Sequence, residues 1–430
     1  MFSSLLVFFA VAQSGSESLL NQIVPNPTGN NGYEDYLMAC DIVRTPEMFA
    51  LIHSTPEAFR QSLNSNDRAA PTQKLSESQL AIARTYADSN LLEIRRAAVT
   101  RGARVLDLLT KGNKKPVYDP RVKIAWSERF PEVRQFRVLG SLSLAASYVA
   151  FADGQSARGT AYLADAIVLG QNIRGGFMPA HLNGIVIQEK SFELFEKLLP
   201  RLSQNSAQVL QNLSAKLLAE KTPALRVIER GIAINRDYYS GMMDQVSASE
   251  PSEGPESARS ALSMLQGMSS TERQHVVDLC IQRATRIQNQ MAAQFQRPES
   301  EWGAYTEPDP VDIKDETKVS SMAMLVAYLC DNQTQSFATL GKHEVRNRTQ
   351  LRLMGLASAI VKFKWDYDRL PLKLSEAVGE KASFDPVAKD QFQYEIIQNG
   401  FRIYSKGSKE SGEIGLRYDY SSKDSTPPPP

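Results

Sequence analysis

The stretch VLGSLSLAASYVAFADGQSARGTAYLADAIVLGQNI, residues 138–173, constrains the fold more than any other part of the chain. Two apolar runs flank Ala152-Asp153-Gly154-Gln155. A polar break that short turns the chain back on itself, so the two runs predict an antiparallel helical hairpin. On the second run Gly159 and Ala166 stand seven positions apart, small enough for the helices to approach closely. A second helical pair is expected over 178–199 and 203–218, divided at Pro200. Hairpins placed one after another bury each other's apolar faces and need no sheet for a core.

Helical spacing recurs on both sides of this centre. Residues 33–43 carry Tyr36, Leu37, Cys40 and Val43 on one stripe. Ahead of them, 13–32 is an extended segment in which Pro25 and Pro27 exclude regular helix. A polar loop is expected over 62–73, then one long helix over 75–109. Ser76 caps that helix, and Leu80, Ala83, Ala87, Leu91, Ile94 and Ala98 lie along its stripe. Residues 247–260, rich in Ser, Glu and Pro, are the best linker candidate. Helices return over 272–296 and 319–329, separated by an acidic, proline-containing loop at 297–318.

From Thr349 the pattern changes. Leu353, Leu356, Ile360, Phe363 and Tyr367 recur at steps of three and four, a single helical stripe. Leu370-Pro371 ends it, Leu372, Leu374 and Ala377 mark a short helix, and Asp385-Pro386 is a turn. Residues 393–398 and 401–405 flank Asn399-Gly400, the strongest two-residue hairpin signal because both positions favour positive φ. That turn puts Tyr394, Ile396, Phe401 and Ile403 on one face, ready to cover the helical stripe. Residues 416–420 offer a third strand, and the tail over 421–430 ends in prolines. The expected fold class is mainly α, with irregular stacked helical hairpins (α-solenoid-like) over 33–246 and 261–341. A small α+β unit over 342–420 closes it.

Two resemblances rest on these residues. The 138–173 hairpin resembles a single tetratricopeptide unit, with Gly154 at the turn, Gly159 and Ala166 at small positions and Leu163 where an aromatic is more usual. No strict second copy follows. The order Leu370-Pro371, the SEAV helix, Asp385-Pro386, Tyr394 and Tyr404-Ser405-Lys406-Gly407 resembles the soluble domain of type II secretion pseudopilins. The chain departs from that family twice. Where pseudopilins carry an apolar membrane helix, 341–350 reads GKHEVRNRTQ. Where the major pseudopilin has an Asp-rich calcium loop, 408–413 reads SKESGE. The whole layout resembles uncharacterised exported bacterial proteins, which implies a location and an architecture but no reaction.

The N-terminus carries an apolar run from Leu5 to Ala12 that ends in Ala10-Val11-Ala12 and gives way to Gln13-Ser14-Gly15-Ser16. That is the shape of a secretory signal over 1–12, although no Lys or Arg precedes the run. The expected location is extracytoplasmic, in the periplasm or secreted. No stretch approaches the roughly 20 apolar residues of a transmembrane helix. Lys+Arg 49 against Asp+Glu 48 excludes whole-protein attraction to nucleic acid or anionic lipid. Cys40, Cys280 and Cys330 include no C-x-x-C pair, so buried thiols are expected, with a Cys280–Cys330 pairing as the alternative.

Motifs that carry chemistry are scarce. His53, His181, His275 and His343 show no paired-ligand spacing, and neither a nucleophile elbow nor a phosphate loop occurs. No cofactor and no metal is expected. Gly175-Gly176 makes a helix-ending turn where Arg174 and His181 are candidates to line a cleft. Trp302, Tyr305, Glu301 and Asp309 share the acidic loop; aromatics beside carboxylates suit glycan binding or cleavage, or anchor a loop to its domain. The anchor is the expectation. Lys342, Arg346, Arg348 and Arg352 either meet an anionic surface or solvate the last helix, and Lys111, Lys114 and Lys115 read as a solvated loop. The expected role is a non-catalytic scaffold or protein-interaction component of the bacterial cell envelope, with a protein or peptide partner. Its rivals are a hydrolase of envelope polymers using carboxylates of 297–318, and a pseudopilus-associated secretion component.

Overall fold

A computed structural model of the chain describes residues 17–66, 74–124, 130–248, 267–302, 326, 339–398, 400–407 and 417–421. The expected signal segment, most of the linker beyond Ala248, and Cys330 lie outside them. So does the 319–329 helix apart from Val326. Helices dominate, and the only strands among the described residues are short and antiparallel, near the C-terminus.

The central hairpin forms as expected. Helices α8 (Pro131–Ala152) and α9 (Ser156–Ile173) pack against each other through a turn at Gly154, whose φ is +74°. Gly154 N donates to Phe151 O at 3.2 Å and Gln155 N to Ala150 O at 2.8 Å. These are the two bonds of a Schellman stop, which wants a residue free to take positive φ. Gly159 lies against α8 so closely that a Cβ there would sit 2.3 Å from the Phe151 ring. The second pair, α10 (Met178–Leu198) and α11 (Gln204–Ala219), is divided by a 3-10 turn at Leu199–Arg201, with Ser203 capping α11. The α9–α10 crossing is backbone-close: a Cβ on Gly184 would lie 2.5 Å from Gly170 O.

The single helix expected over 75–109 is broken twice. It forms α5 (Glu77–Tyr86), α6 (Leu91–Arg101) and α7 (Ala103–Asn113). Asn90 and Glu93 build a reciprocal capping box that starts α6, their two bonds measuring 2.9 and 3.0 Å. Gly102 separates α6 from α7, and a Cβ there would meet Leu142 of α8 at 2.6 Å. These helices, with α1 (Leu19–Ile23), α2 (Gly32–Val43), α3 (Pro46–His53) and α4 (Pro56–Asn66), share one core with α8 around Leu37, Phe136 and Leu139. Cys40 is buried in it. Helices α12 (Pro223–Ala248) and α13 (Ser270–Gln294) pair with each other and bury Cys280, and α12 runs two residues into the expected linker.

Helix α14 (Leu340–Tyr367) takes in the whole of 341–350 and packs on α10, α11 and α12. The C-terminal unit is therefore docked into the array by its own first helix. After α15 (Leu374–Val378) come the pair β1 (Phe384–Asp385) and β2 (Asp390–Gln391) and the three-stranded sheet β3 (Gln393–Ile397), β4 (Gly400–Tyr404) and β5 (Arg417–Ser421). Phe401 and Ile403 join Leu353, Leu356 and Ile360 in one core, so the sheet covers the helical stripe. The register differs from the expected one. Ile397 pairs with Gly400, which puts Gly400 in the ladder instead of the turn. Ile396, expected on the covered face, is 52% exposed: it lies on the edge strand β3, while its partner Phe401 on the central strand is buried.

The α9–α10 crossing has no room for a side chain. Gly184→Val is expected to lower unfolding stability by about 3 kcal/mol, the cost of overpacking a closed contact. Gly154→Ala, with open space around it, should lose only about 1 kcal/mol through its positive φ. Urea denaturation of the two variants checks the difference.

Candidate functional site

Three polar constellations stand out, two of them sealed. The first gathers at the C-terminus of α9. Arg174, 1% exposed, is among the largest fully buried side chains. Its Nη1 donates to Gln188 Oε1 at 2.8 Å and Asn347 Oδ1 at 2.5 Å, and its Nη2 donates to Glu344. Burial pulls the Arg174 pKa down and pushes against ionisation of Glu344, yet Arg174, His181, Thr222 and Arg348 together outweigh burial and hold the Glu344 carboxyl below its usual range. His181 is fully buried beside them, with Nδ1 2.8 Å from the Arg174 carbonyl. A carbonyl only accepts, so Nδ1 carries the proton and Nε2 is bare; Nε2 has no hydrogen-bond partner. Burial, reinforced by Arg174, pushes the imidazole down to about 4. Arg174 and His181, the candidates to line a cleft beside what is expected to be a plain interhelical turn, are interior groups. The Gly175-Gly176 turn folds both inward against α14.

The second constellation joins α2, the chain after α7, and α8. Arg121 Nη2 bonds Asp119 Oδ2 at 2.7 Å and Glu132 Oε1 at 2.5 Å, so the two carboxylates are no more than about 5 Å apart. Tyr33 OH lies 3.3 Å from Glu132 Oε1, and Arg230 Nη2 donates to the Asp119 carbonyl at 2.7 Å. Burial raises the Glu132 pKa against the pull of Arg121. Such a spacing suits a retaining glycosidase pair. The chemistry needs access, however, and Asp119 is 4% exposed while Glu132 is 0% exposed. The Phe130 and Phe177 rings cover the guanidinium at 4.7 and 5.8 Å. This cluster is a structural knot: one arginine bridges two carboxylates that solvent does not reach.

The third constellation is open. A groove of about 540 Å³ runs between the α11–α12 connection, the end of α13 and α14. Leu225, Phe295 and Trp302 give it an apolar wall, and Lys221, Arg226 and Glu229 stand exposed along it. Trp302 is 7% exposed; its Nε1 donates to Arg297 O at 2.8 Å and its ring meets Phe295 edge-on at 5.0 Å. It anchors the start of the acidic loop, as expected. Beside it, Glu299 accepts from Arg348 Nε at 3.0 Å and from both Nη atoms of Arg352 at 2.7 Å. Burial raises the Glu299 pKa, but the two arginines outweigh it and hold the carboxyl below its usual range. Glu301 is partly exposed near Arg297. Tyr305 and Asp309 lie outside the described residues.

The candidate residues therefore divide. Trp302 and Glu301 share one turn at the groove, and Arg174 and His181 share the first knot. The groups that complete each site were missed: Gln188, Glu344 and Asn347 in the knot, Glu299 and Phe295 at the groove. The basic group at the start of the last helix is corrected. Arg348 and Arg352 clamp Glu299, and Arg346 reaches Glu189 at 3.6 Å. Nor is the lysine cluster merely solvated: Lys111 and Lys115 both pair with the buried Asp35. No group of three or more His, Cys, Asp or Glu among the described residues is placed to hold a metal ion. No helix among them is long and apolar enough to cross a membrane.

Comparison with protein-family models, curated proteins and solved structures found no match to this chain.

The buried pair is testable by a double-mutant cycle. Glu344→Leu or Arg174→Met alone leaves a buried charge uncompensated and should cost about 3–5 kcal/mol. The double variant should recover a large part of that loss, because no ion then remains inside. Urea denaturation of the four proteins measures the coupling.

Proposed function

We propose that this chain is a non-catalytic interaction protein of the bacterial cell envelope, and that its open groove receives a polypeptide segment of a partner. The observation that carries this reading is the groove's composition. An apolar wall of Leu225, Phe295 and Trp302 lies beside two exposed cations, Lys221 and Arg226, and two exposed anions, Glu220 and Glu229. A polyanion would be repelled by the glutamates. A peptide that offers one apolar side chain flanked by charges of both signs matches the wall and the rim together. The envelope location rests on the apolar run of residues 5–12 and the small and polar residues that follow it.

Catalysis has less support. The hydrolase reading needs carboxylates of 297–318 free to take and give protons, and Glu299 is held ionised by Arg348 and Arg352. The pseudopilus-associated reading leans on sequence motifs that have a structural use here. Asp385 accepts from Val387 N at 2.9 Å and from the Ser405 hydroxyl, and Tyr394 OH donates to Pro371 O at 2.9 Å. Those bonds close the small unit on itself.

Two measurements test the proposal. Fractionation of the native host, with sequencing of the mature N-terminus, should find the protein outside the cytoplasm, beginning near Gln13. An uncleaved cytosolic chain overturns the envelope location. A photo-crosslinking residue at position 226 should capture a defined peptide of one partner. Lys221→Glu or Glu229→Lys should weaken that capture about tenfold, and Lys190→Glu on a distant surface should not. Equal capture by all three variants removes the groove from the proposal. Polymer hydrolysis lost on Glu301→Gln would replace it with an enzyme.

A further inference from the structure

We infer that the knot of Arg174, Glu344 and His181 is an acid-released latch: it holds the first half of α14 against α9 and α10 at neutral pH and lets it part as the pH falls. The geometry is one-sided. His181 spends Nδ1 on the Arg174 carbonyl, and its bare Nε2 is buried without a partner. A second proton there would place a cation beside the Arg174 guanidinium, with no acceptor bonded to Nε2 in the closed form. The charged groups that act on the imidazole belong to the joint: Arg174 comes from the end of α9, and Glu344 and His343 come from α14. Arg348, also of α14, acts on Arg174 and Glu344. Glu189 of α10 and Arg346 of α14 flank His343. Thr222, ahead of α12, faces the Glu344 carboxylate.

The sign follows from linkage. The docked imidazole binds a proton only near pH 4, whereas a freed one binds it near 6.5. Between those values the open form takes up a proton that the closed form refuses, so opening gains about tenfold per pH unit as the pH falls. His343, also held below its ordinary value, chiefly by burial, acts in the same direction. Glu344, held low, adds to the loss at the acid end when it protonates. The second half of α14 has no such sensitivity: Leu351, Met354, Ile360 and Val361 fix it in an apolar core. Opening is thus confined to the region around residues 340–350. It carries Arg348 away from Glu299 and Trp302, on the wall of the groove. The latch itself does not depend on what the groove binds.

Hydrogen–deuterium exchange on the full chain at pH 7.5 and pH 5.0, corrected for the intrinsic pH dependence of exchange, reads the latch directly. Peptides from 340–350 should open about 30-fold more at pH 5.0, while those of α8 stay protected. His181→Asn keeps an amide donor near the Nδ1 position and removes the titration, so its response should fall to a few-fold at most. His53→Asn, which removes the other strongly depressed imidazole, on α3, should leave the α14 response intact. The latch is refuted if wild-type 340–350 opens no more than α8. A full response in His181→Asn, or its loss in His53→Asn, refutes it equally. The wild-type comparison decides the matter even if a variant fails to fold.

Discussion

Everything in the middle of this molecule is arranged around one buried charge. Arg174 ends α9 inside the protein, where an ion is several kcal/mol less favourable than in water unless its surroundings replace the water. Glu344 supplies the countercharge from α14, while Gln171, Gln188 and Asn347 accept from the guanidinium's Nη1. That requirement decides the topology. The partners stand 170 residues apart in Arg174 and Glu344, so the ion is satisfied only when α14 is seated between the earlier helices. Apolar contacts between α11 and α14 supply the adhesion, and Ser214 Oγ, which donates to Leu351 O at 2.7 Å, helps fix how they meet. The ion pair adds a further constraint on the register.

That division of labour explains what was legible in the sequence. The α8–α9 hairpin was readable because its causes are local: a Schellman stop at Gly154 and small residues on the facing stripe. The C-terminal strands were readable for the same reason, down to the face that Phe401 and Ile403 bury. The breaks within 75–109 were half readable. Asn90 and Glu93 have capping-box spacing, but the apolar stripe runs straight through it. Gly102 is needed because of Leu142, which is distant in sequence. The charged run 341–350 was the least legible. Its residues look solvated until one knows that Arg174 and Glu299 are waiting for Glu344, Arg348 and Arg352. Charge in a sequence names a group but not its partner.

The offset of the β3–β4 hairpin makes the same point on a smaller scale. Asn399-Gly400 favours a turn at its own two positions, and the register places Gly400 one step into the ladder. The ends of the unit are tied elsewhere. Ser405 bonds Asp385, and Lys406 reaches Asp390 at 3.0 Å. Tyr394 reaches Pro371. With both strands fixed at their far ends, the loop accommodates what remains, so tertiary hydrogen bonds override a strong local preference.

The two sealed knots and the open groove also differ in what their charges are free to do. In the Asp119–Arg121–Glu132 cluster and the Arg174–Glu344 cluster, every ionised group faces another protein group in the interior. Such charges specify how helices meet; they do not greet a ligand. At the groove the opposite holds. Glu299 is spent on two arginines, which fixes Trp302 and the wall, but Lys221, Arg226 and Glu229 remain in solvent, where a partner's charges can replace water at little cost. A protein that acted on its ligand would need a carboxylate between these extremes, neither locked in a bridge nor fully solvated, so that its proton affinity lies near the working pH. Burial raises the proton affinity of Glu132, and the Phe130 and Phe177 rings close over the arginine that holds it.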